Sequence, residues 1–160
     1  MVATLFTGTP PRPPSAAAHA FHRSRGLSDD AMRVRMAEDA AACTTLGVRH
    51  RHVGLHEALY RTGEGDHPRS ADGHSIFHAD ASTEPDVVRT AESHVRSLAR
   101  ELRPDLLVGP LGVGGHVDHL ITHAAVERAA GAVRLHWFED LPCALYPEEQ
   151  GWQARVPARG

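Results

Sequence analysis

Four short runs rich in aliphatic and β-branched residues, each parted from the next by a helix-like stretch, constrain this chain more than any other feature. The first, Val2–Gly8 (VATLFTG), is almost continuously apolar and closes on glycine, the pattern of a strand covered on both faces. Val48–Leu55 (VRHRHVGL) alternates, as a half-buried strand does. Asp105–Gly109 (DLLVG) and Val133–Asp140 (VRLHWFED) are the third and fourth strands. The first helix is predicted from Ser28, which can cap, with Asp29 and Asp30 at the positive end of its dipole and Gly47 after Leu46 as its stop. A second helix begins at Thr83 as cap with Pro85 in its first turn, runs to about Leu102, and ends before Pro104. A third spans roughly His116 to Ala130 and stops at Gly131. Strands alternating with helices predict an α/β fold, a Rossmann-like and mainly parallel sheet with flanking helices. Val2–Thr7, Asp105–Gly109 and Val133–Phe138 are expected as neighbours in one sheet. TPPRPPS (Thr9–Ser15) blocks regular structure, and residues 56 to 81 form the longest irregular stretch.

At 160 residues the chain is expected to form one domain, 1–160. A net charge of −3 without any Lys/Arg stripe argues against nucleic acid as a partner. No signal peptide and no apolar run near 18 residues is present, so a membrane partner is not expected either. Cys43 and Cys143 stand far apart, match no metal spacing, and read as reduced thiols, which suits a cytoplasmic protein.

The chemistry concentrates in GPLGVGGHVDHLITHAA, Gly109 to Ala125, directly after the third strand. Ligands of open α/β sheets bind at the carboxyl ends of strands, so this turn is the leading site candidate. Three readings compete. Gly112 and Gly114 give a partial G-x-G, with Glu139 or Asp140 placed where a ribose partner would sit, but Val117 stands at the third glycine position. Alternatively His116, His119 and His123 share one helix face for metal or acid–base work, with Asp118 beside them to orient an imidazole. The third reading is a plain helix start whose histidines are solvated or capping. Elsewhere, His19, His22, His67, His74 and His78 read as polar loop residues, and Arg33, Arg35 and Glu38 as a solvated helix face. Glu57 with Tyr60 and Arg61 follows a strand, which makes a site role reasonable.

With these residues in place, the chain resembles the zinc-dependent N-deacetylases of the LmbE-like (PIG-L) family. That family includes the N-acetylglucosaminyl-phosphatidylinositol de-N-acetylases and the deacetylases of mycothiol and bacillithiol synthesis. TLFTG resembles the family's second strand, RMAEDAAACTTLGV its arginine-, glutamate- and leucine-glycine-bearing helix, and GLHEALYR the segment holding a substrate-binding acid. GVGGHVDH resembles its H-x-D-H motif, and WFEDLPCALYP its late strand and turn. The resemblance implies a hydrolase that removes acetyl from a small N-acetylated amino sugar or related amide. It implies His119 as the zinc ligand. His116 would stabilise the tetrahedral intermediate or protonate the leaving amine, and Asp118 would hold it. Arg35, Glu57 and Arg61 would bind substrate.

One departure matters. The family's H-P-D-D-E type motif, source of two zinc ligands and the general base, occurs nowhere in the sequence. The chain also stops at Gly160, earlier than the family's members do, so the domain is expected to be incomplete at both ends. A catalytic zinc keeps three protein ligands and a water of pKa about 7, which one inherited histidine does not provide. Zinc is expected to bind this chain weakly or not at all, leaving either a dormant deacetylase or a non-catalytic binding module on the same scaffold. An open edge along Val2–Thr7 is expected to favour a homo-oligomer.

Overall fold

A computed structural model describes residues 1–141, apart from 12, 25, 29, 64–68, 70–74, 78 and 79. His67, His74, His78, Asp29 and Cys143 lie outside the described residues. The chain divides into two compact units, Met1–Ile76 and Phe77–Gly160.

In the first unit, β1 (Val2–Thr4) pairs in parallel with β2 (His50–His52), in the register Val2 to His50 and Thr4 to His52. Two helices connect them, α1 (Ala16–Ser24) and α2 (Ala31–Thr45). Parallel neighbours require such a crossover because a tight turn cannot return the chain to the same end. Helix α2 is alanine-rich, which favours it locally. It ends at Gly47, whose φ of +66° is cheap only for glycine. The amide of Gly47 donates to the Thr44 carbonyl and that of Val48 to the Cys43 carbonyl, closing the paired-bond helix stop. Buried Ala18, Met32, Leu59 and Tyr60 form the core of this unit, with Phe21 and Met36 packed on it.

In the second unit, α3 (Pro85–Leu102) leads to β3 (Leu106–Pro110), then α4 (Val117–Ala129), then β4 (Arg134–Phe138). Strands β3 and β4 are parallel, Leu106 opposite Arg134 and Pro110 opposite Phe138. Pro85 opens α3, where its missing N–H costs nothing. Val88, Ala91 and Val95 recur at the helical spacing and are buried, packing α3 against α4, whose Val117, Ile121, Ala125 and Val126 are buried in turn. Fully burying a side chain such as Ile121 or Val88 contributes roughly 1.5–3 kcal/mol.

The α/β class and the parallel pairing agree with the sequence reading. Three expectations change. The described strands form two separate two-stranded sheets, so Val2–Thr7 does not pair with the other two segments. Each parallel pair is closed by its own crossover, and a short strand finds its partner within its own βαβ unit. Residues 16–24 form a helix, begun where Ser15 Oγ accepts from the Ala18 amide, and His22 is buried in it instead of lying in a polar loop. At α3 the cap position falls to Glu84, one residue after the expected Thr83.

Candidate active-site residues

Unit two builds its candidate site at the carboxyl end of β3, on the turn that leads into α4. Gly109 pairs with Trp137, and a Cβ there would meet the indole at 2.9 Å. Gly112 then takes φ +85°, turning its amide inward, where a side chain would also collide with Leu120. The amides of Gly112 and Val113 both donate to Oδ2 of Asp140, at 2.8 and 2.9 Å. The other oxygen of that carboxylate, Oδ1, lies 2.5 Å from Nδ1 of His119. Asp140 thus ties the end of β4 to the turn and to an imidazole. Its side chain is 1% exposed and that of His119 is 44% exposed. Burial alone would raise the Asp140 pKa, but the hydrogen bond and charge of His119, with the Val113 and Gly112 amides, outweigh it and hold the carboxyl below its ordinary value.

His116 is the cap residue of α4, and its Nδ1 accepts the backbone amide of Asp118 at 3.2 Å. Its ring lies 5.1 Å from that of His119, centroid to centroid, and edge-on to Phe77. Asp118 is buried in the first turn of α4. His123 goes elsewhere: its Nδ1 is 3.0 Å from the Pro110 carbonyl, and its ring stacks on Trp137 with centroids 3.9 Å apart. The three-histidine face therefore resolves into an adjacent pair, with the third packed over β3 and β4.

Unit one holds the other sequence-derived candidates. Arg35 on α2 bonds Glu57 through Nη1 and Oε1 at 2.6 Å, and the arginine side chain is 56% exposed. Arg61 is buried, donating to the His56 carbonyl at 2.9 Å, with its guanidinium over the Phe6 ring. Tyr60 is hydrogen-bonded to Nε2 of His22 at 2.8 Å. Burial, then the Glu57 charge, push its phenol up to about 12, with Arg35 opposing.

Two chemical readings of the glycine turn are now separable. A phosphate cradle needs inward amides free for an anion, but Asp140, one of the two residues read as a ribose partner, already occupies those of Gly112 and Val113. The nucleotide reading is withdrawn on that ground. For a metal, His119 has part of the arrangement of a zinc-ligating histidine, a carboxylate behind one ring nitrogen, on a side chain that is nearly half exposed. Among the described residues no group of three or more His, Cys, Asp or Glu converges to hold an ion. They contribute one suitable donor and do not by themselves make a zinc site. Asp140 is the site residue whose role sequence reasoning missed. Its signal in the sequence was its place at the end of the predicted fourth strand, where it was read as one of two candidate ribose partners.

Comparison with known proteins bears on the same region. The family model described as GlcNAc-PI de-N-acetylase, PIG-L, matches residues 1–130. A 2'-N-acetylparomamine deacetylase of Streptomyces fradiae is 44% identical over 64 residues, which cover 38% of this chain and 23% of that protein. Among solved structures, a deacetylase of teicoplanin biosynthesis in a complex with bog superposes with a TM-score of 0.82 at 31% identity, covering 92% of this chain and 58% of that one. A zinc-inhibited form of teicoplanin deacetylase gives 0.78 at 29% identity over 92% and 59%, and A40926 pseudoaglycone deacetylase gives 0.70 at 32% over 91% and 54%. The chain spans less than two thirds of the length of each of these relatives. It belongs to the GlcNAc-PI de-N-acetylase (PIG-L) family of deacetylases.

Proposed function

We propose that this chain carries part of the machinery of a hydrolase that removes the acetyl group from an N-acetylated amino sugar or a related amide. The family is zinc-dependent, and His119 is its ligand in this reading. The observation that carries the proposal is the adjacent pair His116 and His119, fixed at a strand's carboxyl end by Asp118's amide and by Asp140.

The two rings suit different tasks. Because Nδ1 of His116 accepts a backbone N–H, its neutral ring carries the proton on Nε2. Such a ring donates a hydrogen bond to an oxygen that gains negative charge, or delivers a proton to a departing amine nitrogen. Asp118, at the start of the helix, supports that ring through its main chain. In this reading Arg35, Glu57 and Arg61 are the substrate-binding groups, for hydroxyls or charges on a sugar. One relative is named for 2'-N-acetylparomamine and another is solved in complex with teicoplanin, which favours a glycosylated compound as the molecule acted on.

The test is acetate release from an N-acetylated amino sugar. The unaltered chain is expected to hold zinc weakly and to turn over little. A chimera with a relative's H-x-D-D segment joined ahead of Met1 is expected to hold stoichiometric zinc and to release acetate. His119→Ala is expected to remove both from the chimera, whereas His116→Ala is expected to spare zinc and reduce kcat. A folded, zinc-loaded chimera without activity on any N-acetylated sugar would favour the non-catalytic binding module instead.

A further inference from the structure

We propose that Asp140 is a positioning residue that sets the tautomer of His119, holding its proton on Nδ1 and leaving the lone pair on Nε2. Each oxygen of the carboxylate has a fixed job. Oδ2 receives two backbone amides, from Gly112 and Val113. Those amides belong to a turn whose Gly112 has φ +85°, and an N–H has no alternative to donating. The position of Oδ2 therefore accepts only an acceptor atom. Oδ1 faces Nδ1 of His119 at 2.5 Å. A carboxylate oxygen accepts, so Nδ1 is the protonated nitrogen.

The same constraint predicts what a near-isosteric change does. In Asp140→Asn the amide oxygen must take the place of Oδ2, since an NH2 there would point at two N–H groups. The NH2 then faces His119, whose Nδ1 must accept. The imidazole proton moves to Nε2, and the lone pair on that nitrogen is lost. One atom replaced on a side chain that is 1% exposed inverts the donor character of a ring that is 44% exposed.

The connection to metal binding rests on the reading of His119 as a ligand, but the tautomer does not. Nitrogen-15 NMR of histidine-labelled protein reports which ring nitrogen carries the proton. At a pH where His119 is neutral, the wild-type chain is expected to favour Nδ1–H by about tenfold or more, the bias of a charge-assisted hydrogen bond. Asp140→Asn is expected to reverse the ratio to favour Nε2–H. A wild-type ring with its proton on Nε2 would overturn the proposal, and so would an Asn variant that keeps Nδ1–H. The wild-type spectrum decides alone if the variant does not fold. Zinc titration of the chimera separates the two claims. Tautomer reversal with unchanged zinc affinity would reject His119 as ligand and leave the positioning role standing.

Discussion

His22 and His119 are both bonded to a buried partner, yet one ring is closed into a core and the other is presented to solvent. His22 sits on α1 with Nε2 against the Tyr60 hydroxyl, beside Ala18, Met32 and Leu59. His119 sits in the first turn of α4 with its Nδ1 against Asp140 and nearly half of its side chain exposed. The difference lies in where the partner stands. A partner inside an apolar cluster draws the ring in after it, and the pair serves packing. A partner beneath a turn grips one edge of the ring and leaves the other edge outward. Histidine count and local sequence are the same kind of signal in both places, so the identity of the partner separates structure from chemistry.

The most damaging change should fall at the packed end of this comparison. Tyr60→Ala should cost about 3–5 kcal/mol in chemical denaturation, since it empties the centre of the unit-one core. Tyr60→Phe should cost only about 1 kcal/mol, the worth of the hydrogen bond to His22. Equal losses for the two variants would mean that the bond, and not the packing, keeps His22 in place.

Asp140→Ala should follow, at about 2–4 kcal/mol, because it strands two inward amides as well as an imidazole. A loss below about 1 kcal/mol would show that the turn does not depend on the carboxylate.

Stability should also fall at both ends of the pH range, for opposite reasons. Tyr60 has a folded pKa of about 12 against an ordinary 10.0. Its contribution is intact below pH 10 and is lost as pH rises from there to 12, about 3 kcal/mol at 1.36 kcal/mol per unit. Asp140 is shifted downward from 3.8. Its contribution is present above that value and is lost as pH falls through the lowered folded pKa. Tyr60→Phe should abolish the alkaline loss without changing the acid one, and Asp140→Asn should do the reverse. Denaturation midpoints followed across pH would show both.

Smallest of all is Arg35→Ala. Its partner Glu57 is mostly covered but the arginine is mostly exposed, so solvent screening leaves no more than about 0.5 kcal/mol of stability. In the active chimera the same change should raise KM for the N-acetylated sugar well beyond what that stability loss explains. An unchanged KM would remove Arg35 from the substrate-binding set.

Periodicity made most of the secondary structure legible. The apolar spacing of α3, the glycine stop of α2 and the apolar run of β3 each announce themselves over a few neighbouring residues. Helix α1 did not, because it follows a proline cluster and its polar residues resemble a loop until Tyr60, thirty-eight positions away, accounts for His22. The partner of the first strand was also misread. Every strand signal is local, whereas the partner is chosen by the crossover that delivers it.

At the site, local rules already specify the residue types: a glycine turn after a strand, a histidine placed to cap a helix, and a second histidine one turn on. Those follow from short-range rules of φ, capping and helical repeat. Only the tertiary structure decided that Asp140 lies beneath Gly112, Val113 and His119. Twenty-one residues separate that carboxylate from its imidazole. Only the parallel pairing of β3 with β4, held by the packing of α4, brings the two into hydrogen-bonding range.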